Sequence, residues 1–179
     1  MSRQPLRKSG DPCENPAALT KIRQPQEKMK MEIERKFLIK EMPQNLDEFP
    51  ARQIEQGYLC VRPVVRIRRD DDEYYLTYKG GGMMAREEYN LPLTKESYDH
   101  LIKKADGNII TKKRYEIPLE GGLTAELDIF SGVFCGMSLV EVEFESIEDA
   151  LGFEAPAWFG EDVTNDKRFH NSYLSRLSN

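Results

Sequence analysis

The sequence predicts a mainly β fold with added helices, an α+β chain whose strands form a sandwich or a barrel. Three observations predict it. Roughly eight short segments alternate apolar and polar residues and are separated by turn signals. Most of these segments carry paired charges on a single face. The chain has 179 residues, 39% of them hydrophobic, which suits one compact domain with a core of its own.

Each element has a local reason. Residues 1–29 mix prolines with Arg, Lys, Gln and Ser without sustained period, the composition of a disordered tail, and Met29 and Met31 offer a native start just before the domain at 30–179. In residues 31–39, Glu32, Glu34 and Lys36 share one face, opposite Ile33 and Phe37. Strands follow at 54–62, ended by Pro63, and at 64–69, with Arg66 and Arg68 together. After the acidic turn at 70–73 comes a hairpin strand, 74–79, with Tyr75, Thr77 and Lys79 on one face. Three glycines then lead to a strand at 84–93 bearing Arg86 and Glu88. The lysine and helix of a phosphate-binding P-loop are missing from that glycine run.

Thr94 caps a helix predicted over 95–105, with Tyr98, Leu101 and Ile102 as its apolar stripe. Strands at 109–119, 123–130 and 138–144 then place Lys112, Arg114 and Glu116, Glu126 and Asp128, and Glu141 and Glu143 in alternating positions. Ser146 caps a short helix over 147–151, Pro156 begins another turn containing Trp158 and Phe159, and 165–177 reads as a terminal helix with Phe169, Tyr173 and Leu177 at i, i+4 and i+8.

One charged face is an ordinary solvated surface. Its recurrence on nearly every strand is not. Closing the sheet would gather these faces inside a wide polar barrel. Unpaired buried charge is costly, so such a lumen needs both signs, water, metal and an anionic ligand. Arginine forks and lysine ammoniums match the oxygens of consecutive phosphates. Carboxylates hold Mg²⁺ or Mn²⁺ alongside those phosphates. No Ser-His-Asp or Cys-His arrangement competes with phosphoryl chemistry.

Composition narrows the partners. A net charge of −5 argues against nucleic-acid binding through overall charge. Two histidines are too few for a His-rich zinc site, which leaves a hard, oxygen-bound metal. No apolar run spans a bilayer and no secretory signal is apparent, so neither membrane nor export is expected. Cys13, Cys60 and Cys135 are unpaired in spacing, as reduced cytoplasmic thiols are. The oligomeric state is left open, with a homodimer as the candidate assembly.

The ordered series Glu32-Ile33-Glu34-Arg35-Lys36, Gln56-Gly57-Tyr58, Arg66-Ile67-Arg68, Leu76-Thr77-Tyr78-Lys79, Lys112-Lys113-Arg114, Glu126-Leu127-Asp128 and Glu141-Val142-Glu143 resembles the CYTH superfamily, the triphosphate tunnel metalloenzymes, over residues 31–177. The first group looks like that family's ExExK signature. The resemblance implies an eight-stranded antiparallel tunnel with a C-terminal helix, binding a triphosphate with divalent metal, Mg²⁺ or Mn²⁺. It implies Glu32, Glu34 and Glu143 as metal ligands, joined by Glu88, Asp128 and Glu141. Arg66, Arg68, Lys79, Arg86, Lys112 and Arg114 would hold phosphates, and Lys36 with Tyr58 would orient or deprotonate the attacking water. Tyr58 also reads as a core aromatic, and Arg86 as half of a surface ion pair. Asn90 stands where the family often has a further acid. The short form, opening almost at ExExK, looks most like inorganic tripolyphosphatases. Adenylate cyclase, nucleoside or thiamine triphosphatase, and a non-catalytic polyphosphate-binding module are the alternatives.

Overall fold

The computed structural model describes residues 32–80 and 88–177. The tail at 1–29, the start of the strand expected at 84–93, and Arg86 lie outside the described residues. The α+β class holds, with strands dominant.

Period-two alternation builds nine strands: β1 (Ile33–Ile39), β2 (Ala51–Val61), β3 (Val64–Asp70), β4 (Glu73–Lys79), β5 (Glu88–Pro92), β6 (Asp106–Pro118), β7 (Thr124–Ser131), β8 (Ser138–Phe144) and β9 (Phe159–Asp162). They form one sheet in the order β5-β4-β3-β2-β6-β7-β8-β1-β9, and every pairing is antiparallel. Two expectations are corrected here. Among the described residues the strands number nine rather than eight, and the ladder does not close, because β5 and β9 are its two ends. Side chains bridge the gap instead: Lys79 on β4 forms an ion pair with Glu32, just ahead of β1. The sheet thus curls until its second strand reaches its eighth.

The two faces differ as the alternation requires. The outer face of β6, β7, β8 and β1 buries Tyr115, Ile117, Leu127, Val140, Val142 and Phe37 beneath α2 (Ile147–Gly152), with Phe153, Trp158 and Phe159 packed alongside. Ser146 caps α2 as its sequence predicts, accepting a hydrogen bond from the Asp149 N–H. Arg35, on this outer face, is structural. It donates to Asp162 at 2.7 Å and to the carbonyls of Ala150 and Phe153, and lies 4.9 Å above the Phe37 ring. The inner face carries the charges.

The helix expected around Trp158 and Phe159 is the strand β9. β1 would otherwise present an open edge, and the Trp158 carbonyl accepts from the Lys40 N–H as the chain docks there. Gly160 permits the approach, since a Cβ at that position would stand 3.1 Å from the Leu38 carbonyl oxygen.

The terminal helix expected over 165–177 is also corrected. Extended backbone at His170 divides it into a 3-10 turn, Lys167–Phe169, and a single helical turn, α3 (Asn171–Leu174). Tyr173 and Leu177, of the predicted stripe, are exposed, and Leu174 is buried instead. It joins Tyr58, Ile110, Phe130 and Leu139 in a second apolar cluster, on the inner face of the sheet. The C-terminal segment therefore plugs one end of the lumen. Gly107 (φ +71°) makes the join possible: any side chain there would collide with the Ser175 carbonyl, beside which Asn108 N–H donates to that same carbonyl at 2.7 Å. The first helix, α1 (Lys95–Ile102), is capped by Thr94 as expected but ends earlier than predicted.

Candidate active site

The inner face encloses a cavity of about 850 Å³. Glu32, Glu34, Lys36, Tyr58, Arg66, Arg68, Lys79, Glu88, Arg114, Glu141 and Glu143 all line it. Residues chosen from seven separate strands thus converge on one space. Lys112 and Asp128 are not among its lining. They are buried behind it as an ion pair, with side-chain exposures of 0% and 1%.

Arg114 is the hub of the wall. Its Nε and Nη2 grip the two oxygens of Asp128 at 2.7 and 2.6 Å, Nη2 also reaches Glu141 at 2.7 Å, and Nη1 pairs with Glu126. Lys36 spans from Glu141 (2.7 Å) to Glu34 (3.7 Å). Burial would lower the Lys36 pKa, but attraction to Glu141 and Glu34 outweighs it and raises the value. Both carboxylates thus favour the ammonium form of Lys36, which can donate hydrogen bonds into the cavity. Its neighbours are Glu141 and Glu34, while the Tyr58 hydroxyl accepts instead from Gln56 Nε2 at 3.3 Å.

The opposite wall is different in kind. Arg68 donates to the Gln56 side-chain oxygen at 2.8 and 3.0 Å and to the Tyr75 hydroxyl at 3.2 Å. Arg66 donates to the Thr77 hydroxyl at 3.1 Å, and its buried Nε has no partner. Among the described residues neither guanidinium has a carboxylate partner. Burial and the proximity of Arg68 lower the Arg66 pKa, the mark of crowded, under-neutralised cations.

Carboxylates crowd the wall facing them. Glu34 on β1 stands directly opposite Glu143 on β8, an arrangement that disfavours a sheet when both side chains are charged. Burial, then Glu141 and Glu32, raise the Glu34 pKa despite Lys36. This donor set fits a hard divalent cation: oxygen ligands, excess negative charge at one point, and access from the cavity. Among the described residues no three such side chains already stand together as a finished metal cage.

These shifts set an expected pH profile for stability. Burial opposes ionisation of Asp128 and Glu141, but Arg114 with Lys112, and Lys36 with Arg114, overcome it and lower both values. Acids lowered on folding contribute stability above their unfolded pKa of about 4, and that contribution is lost as pH falls through the folded values. Glu34 and Glu126 are raised by burial, so their penalty is relieved as pH falls. Urea midpoints should therefore rise slightly from pH 7 toward the acid side and collapse below about pH 4. A midpoint falling steadily from pH 7 downward would contradict these charge assignments.

A charged wall residue on β2 escapes the sequence reading. Arg52 lines the cavity, held by Asp70 at 2.7 Å and Glu116 at 2.9 Å. Stepping back by twos from Tyr58 through Gln56 and Ile54 reaches it, but the strand was expected to begin only at residue 54. Gln56, the partner of Arg68, shares this face with Tyr58 and is read in the sequence only as part of the Gln56-Gly57-Tyr58 motif.

Comparison with known proteins decides the family. Residues 30–172 match the CYTH domain. The chain belongs to the CYTH family. Two CYTH relatives named inorganic triphosphatase align over most of their length. That of Nitrosomonas europaea is 39% identical across 80% of this chain and 96% of its own. That of Acetivibrio thermocellus is 34% identical across 82% and 94%. The crystal structure of an inorganic triphosphatase superposes with a TM-score of 0.66 at 37% identity, covering 82% of this chain and 95% of that one. No helix among the described residues of this CYTH domain is long and apolar enough to cross a membrane.

Proposed function

We propose that this CYTH protein hydrolyses inorganic tripolyphosphate to pyrophosphate and orthophosphate inside its cavity, with Mg²⁺ or Mn²⁺, in the cytoplasm. One observation carries the reading: Arg66 and Arg68 face the cavity with only neutral hydrogen-bond partners among the described residues. Buried charges are normally paired. Two adjacent guanidiniums without a carboxylate among the described residues, in a lumen that pairs its other cations, call for an anion rich in oxygens. The relatives named inorganic triphosphatase support the same substrate class.

Each wall residue takes a role in this reading. Arg66 and Arg68 grip the phosphates, and Gln56 with Tyr75 holds the Arg68 fork in place. Tyr58 acts through Gln56, as a positioning residue rather than a proton carrier. Lys36 donates to the reacting phosphoryl group or to the attacking water. Lys79, between Glu32 and Glu88 at the sheet gap, supplies a further positive charge. Glu32, Glu34, Glu141 and Glu143 would hold the cation, with Glu88 at the margin. When bound, a divalent cation supplies Lewis-acid withdrawal of charge from the phosphoryl oxygens. Lys112 and Asp128 act behind the wall, fixing Arg114.

Product analysis with purified protein tests the proposal, using tripolyphosphate, ATP and thiamine triphosphate with Mg²⁺ or Mn²⁺. Orthophosphate released mainly from tripolyphosphate is the expected result. Pyrophosphate with cyclic AMP from ATP would make the protein a cyclase. Tight tripolyphosphate binding without turnover would make it a binding module.

A further inference from the structure

The only hydrogen bond that Arg66 makes among the described residues is to Thr77. That hydroxyl is fully buried and has a single proton. It gives the proton to Asn90 Oδ1 at 2.6 Å, which turns a lone pair toward Arg66 Nη2. Asn90 is fixed in turn by its other end, where Nδ2 donates to Glu88 at 3.3 Å. Glu88 then pairs with Lys79 at 2.9 Å. The chain of contacts has a direction, and Asn90 is its pivot. An amide serves both neighbours because it carries an acceptor and a donor on one plane. Thr77 and Asn90 are directly paired across β4 and β5, so the backbone register sets their spacing.

We propose that Asn90 is a positioning residue: through the Thr77 hydroxyl it fixes the rotation of the Arg66 guanidinium, so that the remaining N–H groups meet the tripolyphosphate. The inference rests on the substrate reading above. Asn90 does not touch the phosphate in this scheme. It acts by withholding freedom from an arginine that no carboxylate among the described residues holds, and preorganisation of that kind appears as substrate affinity.

The test is equilibrium binding of tripolyphosphate in the presence of EDTA, measured by calorimetry on the wild type, Asn90→Leu, Thr77→Val and the double variant. Metal-free binding isolates the arginine wall from the acidic one. Thr77→Val is isosteric and keeps the buried strand packed, and melting temperatures of all four proteins are compared. Each single variant is expected to bind about tenfold more weakly, and the double variant no weaker than either single one, since both break the same relay. Wild-type affinity in Asn90→Leu, or a double variant weakened by the product of the single effects, would overturn the inference. A wild type that fails to bind tripolyphosphate both in EDTA and with Mg²⁺ would instead overturn the substrate reading.

Discussion

Arg114→Ala is expected to cost about 3–5 kcal/mol of stability, the range for breaking a buried ion pair from one side. The guanidinium is 7% exposed and bonds three carboxylates, Asp128, Glu141 and Glu126. Its removal leaves Asp128, 1% exposed, with Lys112 alone. Lys36 is still beside Glu141 at 2.7 Å. At roughly 2–4 °C per kcal/mol for a domain of this size, the melting temperature should fall by about 6–20 °C. A double variant, Arg114→Leu with Asp128→Leu, should recover part of the loss, because the uncompensated charge goes with its partner. Thermal denaturation of the three proteins checks this. An Arg114→Ala melting temperature within a degree or two of wild type would show that the wall is held by its apolar backing alone.

Why the single substitution costs so much is also why the sequence was easy to read here. Arg114, Asp128, Glu141 and Lys36 alternate with the apolar residues Tyr115, Leu127, Val140 and Phe37, which build the outer core. Period two forces the two sets onto opposite faces. Strand register then delivers Lys36 opposite Glu141 and Arg114 opposite Asp128. What the pattern lacks is depth. Alternation puts Lys112 and Arg114 on one face but does not say that Lys112 sits behind the wall while Arg114 lines the cavity. Depth depends on the Ile54 and Phe130 side chains packed into neighbouring register positions, contacts long-range in sequence.

Failures at the C-terminus have the same origin. Phe159 is strand rather than helix because β1 needs a partner on its free edge, a tertiary demand with no local signature. The stripe Phe169, Tyr173 and Leu177 has helical spacing, yet the chain turns at His170 and buries Leu174. An apolar end to the lumen was needed, and Leu174 meets it. The pattern of charges predicts a wide polar barrel, whereas the inner face is polar in its middle and apolar at one end.

Glu34→Gln should abolish tripolyphosphate turnover by about three orders of magnitude while leaving the fold intact. The magnitude follows from the several kcal/mol of transition-state charge stabilisation a site of this class supplies, at 1.36 kcal/mol per tenfold. The intact fold follows from electrostatics. Glu34 faces Glu143 across the β1–β8 ladder, and burial with Glu141 and Glu32 already raises its pKa. An isosteric amide removes that repulsion and retains a contact with Lys36, so urea midpoints should hold or rise. Activity and stability thus move in opposite directions, as happens where a site holds like charges together for a purpose. Titration with Mn²⁺ separates two origins of the loss. Partial recovery at high Mn²⁺ assigns Glu34 to holding the cation, and a loss unchanged by Mn²⁺ assigns it to handling the proton of the attacking water. Full activity in Glu34→Gln at ordinary metal concentration would move the catalytic carboxylates away from β1 altogether.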